Sequence, residues 1–255
     1  MSRTAVYSVL VLRNRPSGES NSEVTLLTAE EGIIKTTVFG GPKCKLRAHC
    51  APYNSGQVWI YRDPSKDYSK LSDFDVNSWR PGLRELYERT MAACGIAETI
   101  LSTHGGGGDW GTALRLAVSS LDALENANEE LCPRLLVHFL WRWALFLGIQ
   151  PCLDGCASCS QEGNLRVSCP DISLWYSSRE SAMFCVNCLP GNAGQANDLL
   201  KLNPGCRRWF AAVERIDPSL LYRYSMDNKS FHEAKSLVTA VLTAALGKRL
   251  SSWDW

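Results

Sequence analysis

Residues 23–39 read EVTLLTAEEGIIKTTVF, and the way this stretch doubles back on itself decides the fold. Residues 23–28 are branched and leucine side chains suited to a short strand. Thr28, Ala29, Glu30, Glu31 and Gly32 have turn chemistry, with Gly32 free to take a positive φ. In the returning strand, residues 33–39, alternation puts Ile34, Thr36 and Val38 on one face and Lys35 and Thr37 on the other. Gly40, Gly41 and Pro42 break it. Outward from this hairpin, residues 4–12, 46–52 and 57–62 also read as strands, giving about five in the first 62 residues. Five short antiparallel strands suit a small barrel, OB-fold or SH3-like, and the pattern leaves both open.

Residues 63–80 are polar and read as a linker. Helical periodicity follows: Leu83, Leu86, Tyr87, Thr90, Met91, Cys94 and Ala97 recur every three or four residues. Glycines 105–108 form a loop, and a second helix carries Leu114, Ala117, Val118, Leu121 and Leu124. A third has Pro133 in its first turn, with Leu136, Leu140, Trp143 and Leu147; being apolar on most sides, it is expected to be central to a bundle. Residues 152–190 hold clustered cysteines and strand-like pieces at 165–167 and 172–176. Beyond Gly194 the chain is expected to be helical again, with a stripe of Leu237, Val238, Val241, Leu242 and Ala245 folding back on the bundle. The organisation predicted is α+β and multidomain: a barrel with its linker at 1–80, a helical domain at 81–151 and 191–255, and a cysteine module at 152–190.

The net charge of +1 selects no partner, but its distribution is uneven. Residues 1–62 hold eight Lys/Arg against four Asp/Glu, whereas residues 63–150 hold eight against twelve. A polyanion is drawn to the first segment. The opening apolar run ends in Arg13 without a cleavage pattern, and residues 135–149 carry His138 and Arg142, too polar and short for a membrane span. The expectation is a cytoplasmic chain with no membrane partner, whose eleven cysteines are reduced thiols or metal ligands.

Cys156-x-x-Cys159 and Cys185-x-x-Cys188 are two knuckles separated by 25 residues. Thiolates two residues apart on a tight turn supply one edge of the tetrahedron that Zn²⁺ prefers, and two pairs complete it with no open position, so the zinc would be structural. A degenerate site and a redox dithiol are the competing readings. Cys152 and Cys169 lack paired spacing. Catalytic signatures are missing: no phosphate-binding G-x-x-x-x-G-K-[ST], no H-E-x-x-H, no H-x-E with P-C-x-x-C, no G-x-S-x-G. The expectation is a non-enzyme.

Lys43, Lys45 and Arg47 stand at i, i+2 and i+4, so an extended segment would point all three to one face. With Lys35 on a neighbouring strand and Arg13 and Arg15 ending the first, they predict a groove for a phosphate backbone. Tyr53 and Trp59 are candidates for stacking bases, or else barrel core.

Three segments then carry a family likeness. They are Val9-Leu10, Gly18-Glu19 and the run from Val24 to Gly32; Gly40-Gly41-Pro42-Lys43-Cys44-Lys45-Leu46; and Phe139 to Gly148-Ile149-Gln150-Pro151 leading into Cys156 and Cys159. In this order and spacing the chain resembles the RecO family of bacterial DNA-repair proteins along nearly its whole length. The resemblance implies an N-terminal OB-fold, a helical domain and an embedded four-cysteine zinc module. It further implies binding of single- and double-stranded DNA, strand annealing, contact with the single-stranded-DNA-binding protein, and loading of RecA together with RecR. Carried onto this sequence, the DNA-contacting positions are Lys35, Lys43, Lys45 and Arg47, with Arg13 beside them. Arg134 and Arg142 are candidates for the rim of a pocket for the partner's acidic tail. Two other classes compete: an RNA-binding or ribosome-associated protein with an OB-fold and zinc ribbon, and a scaffold that binds only proteins.

Overall fold

The computed structural model describes residues 4–41, 44–63, 68–159, 172–189 and 199–253, in two compact units, Met1–Cys132 and Pro133–Trp255. In the first unit, β1 (Thr4–Ser17), β2 (Asn21–Thr28), β3 (Gly32–Val38), β4 (Ser55–Asp63) and β5 (Tyr68–Ser78) close into a barrel of order β1-β2-β3-β5-β4. Every junction is antiparallel except β3 with β5, which is parallel. A short helix, α1 (Lys45–His49), lies between β3 and β4. This order, with a helix at that point, decides for the OB-fold over the SH3-like alternative.

Two expectations are corrected here. Residues 46–52 are not a strand: Lys45, Leu46, Arg47 and Ala48 are good helix formers, and their one large apolar side chain, Leu46, packs on the barrel core beside buried Cys50. Residues 63–80 are not a linker, because β5 closes the barrel. Its apolar residues Leu71, Phe74 and Val76 miss a strict period of two because Ser72 is an extra residue at a bulge opposite β4.

Tyr7, Val9, Val11, Val24, Leu26, Val58, Ile60 and Phe74 fill the barrel. The alternate residues Leu10, Leu12 and Leu27 are buried too, since α2 (Tyr87–Ser102) and α3 (Trp110–Glu125) pack on the outer side of β1 and β2. This double burial explains why residues 9–12 run apolar without alternation. The close approach depends on glycine: Gly32 has φ +70°, and a β-carbon there would lie 2.7 Å from Trp110 Nε1. Buried Arg80, in the left-handed conformation at φ 45°, joins the layers by donating to Asp122, Ser55 Oγ and the Tyr53 carbonyl.

The second unit contains most of α4 (Leu131–Phe146), then β6 (Leu174–Ser177), β7 (Ala182–Phe184), β8 (Leu199–Leu202), α5 (Pro204–Val213) and α6 (Asn228–Leu246). As expected of a central helix, α4 is buried around nearly its whole circumference. Trp141 meets Phe210 of α5 with ring centroids 4.2 Å apart, and His138 Nε2 lies 2.9 Å from the Val213 carbonyl. The expected return to helix after Gly194 begins later, because residues 199–202 form β8 against β6 in a sheet of order β7-β6-β8. Asn203 then caps α5, its side chain accepting from Cys206 N. Trp253, for which the sequence offered no role, is fully buried. The strand-like piece at 165–167 and Cys169 lie outside the described residues. Among the described residues no helix is long and apolar enough to cross a membrane.

Candidate metal centre and nucleic-acid interface

The first cysteine pair sits on a turn tied to the sheet by Ala157 N donating to the Met183 carbonyl of β7. The second follows β7 directly, in a single 3₁₀ turn, Val186–Cys188, with Cys188 N donating to the Cys185 carbonyl. The β6–β7 hairpin thus brings two segments distant in sequence into one cluster. Among the described residues, the sulfurs of Cys156, Cys159, Cys185 and Cys188 all lie within 4.8 Å of one another. Cys159 Sγ is 3.7 Å from Cys185 Sγ and 3.2 Å from Cys188 Sγ. A tetrahedral zinc with bonds of about 2.3 Å separates its sulfurs by about 3.8 Å, so the donor set and its spacing fit such an ion. Burial raises the Cys156 thiol, but the N–H groups of Cys159, Cys185 and Ser158 outweigh it and bring the thiol down to about 7. Those amides favour the thiolate a metal requires.

One residue of this centre escaped sequence reasoning. Buried Arg207, on α5, donates to the Leu153 carbonyl through Nε and Nη2 and to the Ile172 carbonyl through Nη1, at 2.6–3.0 Å. It therefore holds the two chain segments that flank the first knuckle and lead into β6. No signal in the sequence separates it from Arg208, since its partners are backbone atoms far along the chain.

The basic residues separate into groups. Lys43 lies outside the described residues. Lys45 and Arg47, two apart on α1, point about 200° away from each other and make no row. Lys35 and Arg13 do come together: Arg13 pairs with Thr25 across β1 and β2, and Thr25 pairs with Lys35 across β2 and β3. All three face away from the core, because Val24 and Leu26 face into it. A parallel row runs from Arg15 through Glu23 and Thr37 to Lys70 on β5. Four cations on the outer face of four strands thus surround one carboxylate, Glu23, whose nearest oxygen is 4.0 Å from Lys35 Nζ. The bulge at Leu12 is what turns Arg13 and Arg15 to this side. Lys70 was lost with the supposed linker; the Lys70-Leu71 alternation was its only trace.

The aromatic candidates change as well. Tyr53 packs toward α2, its hydroxyl 3.2 Å from Cys94 Sγ, and Trp59 lies on the outer face of β4 opposite Val6, outside the core. Instead, exposed Phe39 and Tyr68 stand beside the cationic rows, with ring centroids 5.9 Å apart and Lys70 Nζ 5.7 Å from the Phe39 centroid. Arg134 and Arg142 each hold the fold within their unit, donating to the Met226 and Ile216 carbonyls.

Residues 1–78 match the family described as recombination protein O, N terminal, and residues 84–254 match recombination protein O, C terminal. A protein named DNA repair protein RecO from Rubrobacter xylanophilus is 30% identical over 152 residues, covering 59% of this chain and 60% of the relative. One of the same name from Acaryochloris marina is 25% identical over 179 residues, covering 69% and 60%. In both, the match spans only three fifths of the relative's own length. A third, from Anaeromyxobacter sp. strain K, is 28% identical over 255 residues and covers 95% of this chain and 92% of the relative. The two matched segments together take in the barrel, the helices and the cysteine cluster, and on this ground the chain belongs to the recombination protein O (RecO) family.

Proposed function

We propose that this chain is a DNA-repair and recombination mediator, without catalytic activity of its own, that binds single-stranded DNA on the part of the outer face of β1, β2, β3 and β5 that α2 and α3 leave open. In this reading it anneals complementary strands and, with RecR, helps to load RecA onto strands coated by the single-stranded-DNA-binding protein. It would tolerate duplex DNA and work in the cytoplasm on the nucleoid. The observation that carries the reading is the paired rows of Arg13, Arg15, Lys35 and Lys70, spaced by the strand register. Cations on β1, β3 and β5, two or three strand spacings of about 4.8 Å apart along each row, can follow a flexible phosphate backbone without reading base edges. The names of the relatives, DNA repair protein RecO, point the same way. The four-cysteine centre would hold one structural Zn²⁺: four thiolates saturate it and leave no site for a substrate.

The test is binding of the full-length protein to a fluorescent oligodeoxynucleotide as a function of salt. Each phosphate contact contributes about 0.7 to the slope of log affinity against log salt for a single strand. Replacing Lys35 and Lys70 together by Gln should flatten the slope by about 1.4. Replacing Lys45 and Arg47 by Gln should leave it nearly unchanged. Absence of any binding in dilute salt would remove the reading.

A further inference from the structure

The geometry points to Phe39 and Tyr68 as a base-stacking pair that makes this face prefer an unpaired strand to a duplex. The inference rests on the reading of the β1–β2–β3–β5 face as a nucleic-acid site and names what selects its ligand.

Phe39 follows β3 and Tyr68 opens β5, the two strands joined in parallel by the pairing of Thr37 with Lys70. Val38 and Leu71 point inward, so Phe39, Tyr68 and Lys70 share the outer face with Lys35. The two rings touch but do not cover each other: their planes are inclined at 43°, and Phe39 and Tyr68 remain 38% and 36% exposed. The barrel core does not need them, as it is filled by other side chains. Two aromatic rings left open beside four cations are costly for a surface that meets only water, and suited to one that meets bases and phosphates together.

Lys70 sharpens the argument. Its ammonium stands near the Phe39 ring on one side and in line with Thr37, Glu23 and Arg15 on the other. A base lying on the ring would therefore place its own phosphate within reach of a cation. In a duplex both faces of each internal base are already stacked on neighbours, so the rings have nothing to receive. Only an unpaired strand can use rings and cations at once.

The experiment is a double comparison on the full-length protein, using an oligothymidylate and an abasic strand of equal length and charge. Wild type should bind the oligothymidylate about tenfold more tightly than the abasic strand. Phe39→Leu with Tyr68→Leu, which keeps apolar bulk and removes the π-faces, should erase most of that ratio. Its duplex affinity and salt slope should hold, and Tyr68→Phe should keep the ratio. The inference is overturned if wild type does not distinguish the two strands, or if the leucine variant keeps the full ratio. If at the same time Lys35→Gln and Lys70→Gln still flatten the salt slope, the phosphate site stands and only the stacking role falls. Failure of the wild type to bind any of these strands overturns the site itself.

Discussion

His138 shows how a single side chain fixes a condition on stability. It is fully buried on α4, and since a carbonyl can only accept, Nε2 must donate its proton to the Val213 carbonyl. Among the described residues Nδ1 has no hydrogen-bond partner. Burial pushes the ring down to about 4, against the backbone bond to Val213, which favours the charged form; Arg142 lowers it further and Asp217 opposes. The unfolded chain, titrating near 6.5, then binds the extra proton first. Stability is present in full above about 6.5 and falls as pH drops toward 4, by up to about 3 kcal/mol. Urea titrations at pH 7 and pH 5 should show the wild-type midpoint falling at the lower pH, and His138→Gln should lose much of that difference. An equal fall in both proteins would place the pH sensitivity elsewhere. Residues also mark where legibility ends. The positive φ of Gly32 was readable from its turn, but not Trp110 above it, because nothing local links positions so far apart.

Among the elements, those readable in the sequence have a local cause and those missed have a distant one. The β2–β3 hairpin follows from alternation around one turn, and the cysteine knuckles from spacing alone. Strand β5 was hidden because its bulges exist only opposite β4, and α1 because its residues would alternate correctly as a strand. The proposed DNA face changed for the same reason: Lys35 and Arg13 were readable, but their companion Lys70 was visible only after β5 closed the barrel. The register also exposes Glu23 between Arg15 and Thr37, in the path that the proposed function gives a phosphate backbone. Under the proposed function this carboxylate weakens binding. Glu23→Gln should tighten the complex with a single strand by about two- to fivefold in dilute salt, with the gain fading as salt screens the face. A loss of affinity would mean that the strand does not pass over β2.

For the whole chain, net charge is a poor guide. Extending the barrel to residue 78 brings its count to ten Lys/Arg against eight Asp/Glu, less basic than residues 1–62 alone. What remains is arrangement: four cations gathered on one face of the first unit, and four sulfurs gathered in the second. Loss of a metal from the four-cysteine cluster would therefore have a specific phenotype. Its sheet has three strands of three to four residues, too short to hold without help from packing and ligation. Arg207 fixes one side of this module, and a metal would fix the other. Under the proposed function, stripping the metal with a thiol-reactive mercurial and a chelator should release about one zinc per chain and open the knuckle segments, residues 152–159 and 172–189, to protease. Affinity for a single strand, which the proposed function places on the first unit, should stay within about twofold. Annealing and partner-dependent steps would be measured on the same stripped sample, so that a defect there is separated from loss of strand binding. Protease resistance unchanged after stripping would show that the cysteines do not support the module; strand binding lost in step with the metal would place part of the DNA site among them.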